Sequence, residues 1–168
     1  GLQLYTLRDV IMNDVKGTLK AVADMGYTQA ETYGYNNGKL FGMTVKEFGD
    51  YMKSIGIKTV SGHYGIEMTT SESWNQACED AKSLGQKYVV VPWLDKKYYS
   101  SLDELKKTCD TLNKAGEVAK KYGLMFGYHN HAFELEKVEG QVMMDFMLGQ
   151  LDPKSVTWEM DIYWIVRG

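Results

Sequence analysis

Tyr122-Gly123-Leu124-Met125-Phe126-Gly127-Tyr128-His129-Asn130-His131 holds a helix end, a glycine, an apolar strand and a polar tip in one run. A Gly just past a helix supplies the left-handed residue that lets the chain turn into a strand. The same junction recurs as Met25-Gly26-Tyr27, Ile55-Gly56-Ile57 and Leu84-Gly85-Gln86. The glycine gaps are 30 (26 to 56), 29 (56 to 85) and 38 (85 to 123). A strand–helix unit needs about 30 residues, so the period marks repeated βα units.

The helices between these junctions show apolar faces. Val15, Leu19, Val22, Ala23 and Met25 form one, and Val45, Phe48, Met52 and Ile55 the next. Ser71–Leu84 carries Trp74, Ala77, Cys78, Ala81 and Leu84, and Ser101-Leu102-Asp103-Glu104 has the pattern of a capping box opening a long helix. A shorter helix over Val142–Leu148 precedes the Asp152-Pro153 turn. The strands are expected at Gly1–Leu7, Tyr27–Gly34, Ile57–His63, Lys87–Trp93, Leu124–His131 and Ser155–Tyr163. Such alternation predicts a parallel sheet covered by helices. An open dinucleotide-binding sheet would follow its first strand with a glycine-rich phosphate loop, but Thr6-Leu7-Arg8-Asp9 stands there. Polar strand ends recur strand after strand instead, as the mouth of a (β/α)8 barrel requires.

Side chains two apart on a strand face the same way. In the last strand Thr157, Glu159, Asp161 and Tyr163 share one face, and Val156, Trp158, Met160 and Ile162 the other. In the fifth, Leu124, Phe126 and Tyr128 oppose Met125, Gly127, His129 and His131. With the apolar faces against the helices, His129, His131, Glu159 and Asp161 point inward near the C-terminal ends, where barrel active sites lie. Glu31, His63 and Glu134 end or follow other strands. Two carboxylates buried together need a cation or a proton. Imidazole with carboxylate suits Mn²⁺, Zn²⁺ or Fe²⁺. Trp93, Tyr163 and Trp164 are placed to form an apolar wall for a sugar ring.

Composition excludes other classes. Apolar residues make up 44% of the 168, too many for a disordered chain. The net charge of −3 and the absence of basic runs longer than two argue against a nucleic-acid partner. No apolar run reaches the roughly 18 residues of a membrane span. No basic–apolar leader opens the chain, so a cytoplasmic location is expected, with a leader upstream of Gly1 left open. Cys78 and Cys109 read as buried free thiols.

Gly1-Leu2-Gln3-Leu4-Tyr5-Thr6-Leu7-Arg8-Asp9, Glu31-Thr32-Tyr33-Gly34, Ser61-Gly62-His63, Tyr128-His129-Asn130-His131-Ala132-Phe133-Glu134 and Glu159-Met160-Asp161-Ile162-Tyr163-Trp164 together resemble the sugar phosphate isomerase/epimerase family. The resemblance covers the whole chain in order. It implies a xylose isomerase-like (β/α)8 barrel with one divalent metal at its C-terminal mouth, Mn²⁺ first, with Zn²⁺ or Mg²⁺ as alternatives. It implies proton transfer through an enediolate on a ketose, aldose or sugar phosphate. Asp161 matches the family's strand-six ligand. On strand five, where many members have Glu, His129 or His131 stands as ligand or acid/base, and Trp164 takes the place of the His in an Asp-x-x-His motif. The expected roles are His129 and Asp161 on the metal, His131 and Glu159 in proton transfer, and Tyr5, Glu31, His63, Trp93 and Trp164 against the substrate. The partner is then a small sugar or sugar phosphate, and a homo-oligomer is compatible. Keto-sugar lyase, dehydratase or hydrolase chemistry on the same barrel, or sugar or metal binding without catalysis, are the alternatives. Six units average 28 residues, and eight need about 225 or more. The chain is therefore expected to be strands one to six of a single, C-terminally incomplete barrel domain, residues 1–168.

Overall fold

The computed structural model describes residues 1–168. Six strands form one parallel sheet: β1 (Leu2–Gln3), β2 (Gln29–Thr32), β3 (Lys58–His63), β4 (Tyr88–Val91), β5 (Met125–His129) and β6 (Val156–Glu159). They lie side by side in chain order. Sequential order is that of a barrel wall, and the sheet is a partial (β/α) barrel. Besides a single turn at Ile66–Thr69, the helices are α1 (Val15–Asp24), α2 (Val45–Ser54), α3 (Ser73–Ser83), α4 (Leu102–Lys121), α5 (Met143–Gln150) and α6 (Ile162–Arg167). Gly26, Gly56, Gly85 and Gly123 all take the positive φ that ends a helix and starts the next strand (90°, 77°, 81° and 78°). No helix is long and apolar enough to cross a membrane.

The core lies between the sheet's outer face and the helices, where 33 buried residues form one cluster. Phe126 meets Trp74 of α3 edge-to-face at 5.9 Å, and Tyr128 meets Trp158 at 5.3 Å. The outward parity of β5 is therefore Phe126 and Tyr128, which leaves His129 on the inner face. The Trp74 indole N–H donates to the Ala115 carbonyl (3.1 Å), so burying this large ring strands no donor. Cys78 and Cys109 are buried and free, and burial pushes both thiols up to about 12.

All strands but the third end earlier than the sequence pattern predicts, and local hydrogen bonds accompany the early ends of the first, fifth and sixth. The first stops at Gln3, whose side chain accepts the Tyr5 N–H and starts the 3-10 turn Leu4–Leu7. The second and fourth end at Thr32 and Val91. Pro92 has no N–H to continue the ladder, so Trp93 lies beyond it. The fifth ends at His129 and the sixth at Glu159, so His131, Asp161 and Tyr163 are not strand residues. Asp161 caps α6, with Oδ1 accepting the Trp164 N–H at 3.2 Å. Once the chain turns helical there, Met160 and Ile162 lose the outward face and are exposed.

Two further features were not expected. Between β2 and α2 a two-residue hairpin pairs Lys39–Leu40 with Met43–Thr44, and between β5 and α5 another pairs Lys137–Val138 with Gln141–Val142. Both turn through a residue and a Gly at positive φ, Phe41-Gly42 and Glu139-Gly140, the signature of a type I′ turn. In β3 the register against β2 slips by one residue: Ala30 pairs with Thr59, but Glu31 pairs with Ser61. The extra residue, Val60, lets Thr59 bond outward to the Leu84 carbonyl (2.6 Å) while Ser61 and His63 face inward.

Candidate metal and substrate site

Four strands deliver ionisable groups to one point on the inner face. Nε2 of His63 on β3 lies 3.1 Å from Oε1 of Glu31 on β2 and 3.4 Å from Oε2 of Glu159 on β6. Nδ1 of His129 on β5 lies 3.7 Å from Oε1 of Glu159. Ser61 Oγ donates to Glu31 Oε2 (2.5 Å), and the Gln3 side-chain amide bonds Nδ1 of His63 (3.1 Å). Burial opposes charge on His63, but the carboxylates of Glu159 and Glu31 outweigh it and raise its pKa to about 9. Burial likewise opposes charge on Glu159, and the imidazoles of His129 and His63 bring its pKa down to about 2. The two shifts share the His63–Glu159 pair, to which Glu31 adds on the first side and His129 on the second.

His63, His129 and Glu159 each offer a ligand atom, and these atoms lie within 4.8 Å of one another. Nδ1 of His129 is buried without a hydrogen-bond partner. A buried ring nitrogen without a partner costs free energy, and a cation held with Glu159 and His63 would remove that cost. Two nitrogens and a carboxylate fit Mn²⁺, Zn²⁺ or Fe²⁺ better than Mg²⁺.

Asp161 stands beside this cluster, its Oδ2 3.8 Å from His129 Nε2. Tyr5, His63, Trp93, His129, His131, Asp161 and Trp164 border a cavity of about 740 Å³, and Glu31 and Glu159 reach it through their contacts with His63. The His131 ring pairs with none of these carboxylates. Its ring lies between Trp93 (4.9 Å) and Trp164 (5.2 Å), and burial together with His129 lowers its pKa to about 4. Trp93 is half exposed and also touches Phe133 (4.9 Å). Tyr163 lies on α6 and is 61% exposed, so the aromatic wall consists of Trp93, His131 and Trp164 without it. Glu134 is fully buried; it accepts the Tyr128 hydroxyl (2.6 Å) and the His131 N–H (2.8 Å), and so shapes the loop after β5. A second hollow of about 900 Å³, between α2, α3 and the N-terminal ends of β2–β4, contains no imidazole.

Three contributors escaped the sequence pattern: Gln3, Arg8 and Asn130. Arg8 is the only Lys or Arg bordering the cavity; its Nη1 bonds the Tyr5 carbonyl (3.2 Å) and its guanidinium lies 4.9 Å from the centre of the Tyr5 ring. Asn130 was legible in principle. It shares the outward parity of Phe126 and Tyr128, and an amide on a core-facing position needs partners.

The family described as xylose isomerase-like TIM barrel matches residues 19–167. A sugar phosphate isomerase/epimerase from Parabacteroides distasonis superposes over 100% of this chain and 70% of its own, at 34% identity and a TM-score of 0.88. A second protein of that description from the same organism matches 100% of this chain and 66% of its own, at 28% identity and a TM-score of 0.85. The IOLI protein, solved with a bound zinc atom, shares the fold at 17% identity and a TM-score of 0.61, over 86% of this chain and 55% of its own. No match is found among curated proteins. Sequential parallel strands, a polar cluster on the inner face and these likenesses agree: the chain belongs to the xylose isomerase-like TIM barrel family, with sugar phosphate isomerase/epimerase proteins as its relatives.

Proposed function

We propose that this chain carries most of the active site of a divalent-metal-dependent sugar isomerase or epimerase. The observation that carries the reading is the convergence of His63, His129 and Glu159, with His129 Nδ1 lacking a partner. These three would hold the metal, His63 giving up its proton as the cation enters, with Asp161 beside them. Mn²⁺ is the first choice, and Zn²⁺ and Mg²⁺ are the others to test. The bound cation supplies Lewis-acid polarisation of the sugar carbonyl.

The chain's own residues account for the rest. A proton on the carbon next to a carbonyl must pass to an unprotonated base. At neutral pH His131 is in that form, held neutral by burial, and the Glu159 carboxylate is ionised. Returning the proton to the neighbouring carbon, while the hydroxyl proton passes to the former carbonyl oxygen, gives isomerisation; returning it to the opposite face of the same carbon gives epimerisation. Trp93 and Trp164 flank His131 and offer apolar faces to a sugar ring. Glu31 and Tyr5 reach its hydroxyls, and Arg8 is the cation available to a phosphate. The partner in this reading is a small sugar, with no nucleic acid or membrane.

The test is proton exchange. The protein is loaded with Mn²⁺ and incubated with a panel of ketoses and their phosphates in D₂O. Deuterium at the carbon next to the carbonyl is expected for the true substrate. Tight sugar binding with no exchange across the panel would reject the isomerase reading and leave a binding domain.

A further inference from the structure

The β5–β6 ladder makes its last backbone pairing at His129 and Glu159. Beyond it the two chains separate. The His131 N–H turns to Glu134, and Asp161 opens α6. The side chain of Asn130 spans the gap. Its Oδ1 accepts the Asp161 N–H (3.0 Å), and its Nδ2 reaches the carbonyls of Asp161 and His131 (3.4 Å each). Asn130 is fully buried, and these contacts engage both its acceptor and its donors.

We infer that Asn130 is a positioning residue that extends the β5–β6 ladder with its side chain and holds the Asp161 carboxylate against His129. The inference rests on the metal reading above for its functional meaning, but not for its geometry. Asp161 has two jobs at once: Oδ1 caps α6 at the Trp164 N–H, and Oδ2 lies 3.8 Å from His129 Nε2. Asn130 fixes the backbone from which both depend. Through α6 it also sets Trp164, whose ring packs on His131 at 5.2 Å. The residue type follows from the pairing. Asp offers no donor for the carbonyls, and Gln is a methylene too long for the same reach. Partners that orient ligands commonly contribute 10–100-fold to metal affinity.

A matched control exists in the same protein. Asn113 also joins its amide to a distant backbone, donating to the Gln150 carbonyl (3.1 Å) and accepting the Asp152 N–H (2.8 Å), at the opposite end of β6. The experiment compares Asn130→Ala, Asn130→Asp and Asn113→Ala with the parent. Co²⁺ affinity and its visible absorption are measured, together with the His129 ring signals in metal-free protein by NMR. Both Asn130 variants should bind Co²⁺ about tenfold or more weakly, with an altered absorption at saturation. Their His129 signals should move as they do in Asp161→Ala, while Asn113→Ala keeps the parent's values. Equal losses in all variants, or His129 signals unmoved in Asn130→Asp, would overturn the inference. If Asn130→Ala does not fold, the isosteric Asn130→Asp decides. Should the parent bind neither Co²⁺ nor Mn²⁺, the metal reading fails by itself, and the His129 signals still decide the role of Asn130.

Discussion

At the scale of single residues, the site is a matter of which side chains lack an internal partner. His63 has three neighbours competing for its two nitrogens, whereas Nδ1 of His129 and Nδ1 of His131 are buried without a hydrogen-bond partner. Arg8 is pinned by the carbonyl and ring of Tyr5, which leaves most of its five N–H donors for a ligand. A guanidinium binds a phosphate through charge-assisted pairs that each contribute roughly 1.5–3 kcal/mol. Arg8→Gln should therefore raise the KM for a sugar phosphate about tenfold and leave that for the unphosphorylated sugar unchanged. Arg8→Lys should restore part of the loss, because it keeps the charge but not the fork. Steady-state kinetics on the paired sugars checks this. Equal KM changes for both members of the pair would remove Arg8 from phosphate recognition.

At the scale of elements, caps and turns decide where each piece starts. The Ser101 pattern predicts a full capping box, yet only half forms. Ser101 Oγ accepts the Glu104 N–H (3.2 Å), while the Glu104 carboxylate pairs with Lys107 (2.6 Å). Glu139, from the hairpin after β5, reaches the Leu102 N–H instead (3.1 Å). The complete box is at α2, where Thr44 and Glu47 bond each other's backbone (3.2 and 2.8 Å). Losing a Thr cap costs about 1 kcal/mol. Thr44→Ala should lower the Tm by about 2–4 °C for a domain of this size. Ser101→Ala should lower it less, because Glu139 still covers an end of α4. Thermal melts of the two variants rank the caps, and the opposite ranking would show that the Glu139 contact does little.

At the scale of the whole molecule, the charge cluster couples stability to pH. His63 has its pKa raised from 6.5 to about 9, so its contribution is full below pH 6.5 and is lost as pH rises through 9. Glu159 has its pKa lowered from 4.5 to about 2, so its contribution is full above pH 4.5 and is lost as pH falls through 2. Metal-free protein should thus be most stable between pH 4.5 and 6.5. From the top of that window to about pH 9.5, the Tm should fall by about 5 °C. His63→Gln should flatten this alkaline arm, and a decline of the same size in the variant would place its origin elsewhere.

The sequence by itself determined the order of the elements and most of their faces. The glycine junctions, the helical periodicities and the parity of Phe126 and Tyr128 against His129 are all local, because backbone sterics and the two-residue pleat act within a few positions. Tertiary structure alone decided the strand ends and which of the expected site residues share one cluster. Simple alternation over Ile57–His63 puts His63 on the face of Ile57, in the core, and the one-residue slip at Val60 turns it inward to Glu31 and Glu159. Asp161 reached the site from a helix cap rather than from the strand parity that first pointed to it, and Asn130 found its partner 31 residues away. A slip in register and a bond between distant segments depend on how strands meet when the sheet curves, and no window of the sequence contains both partners.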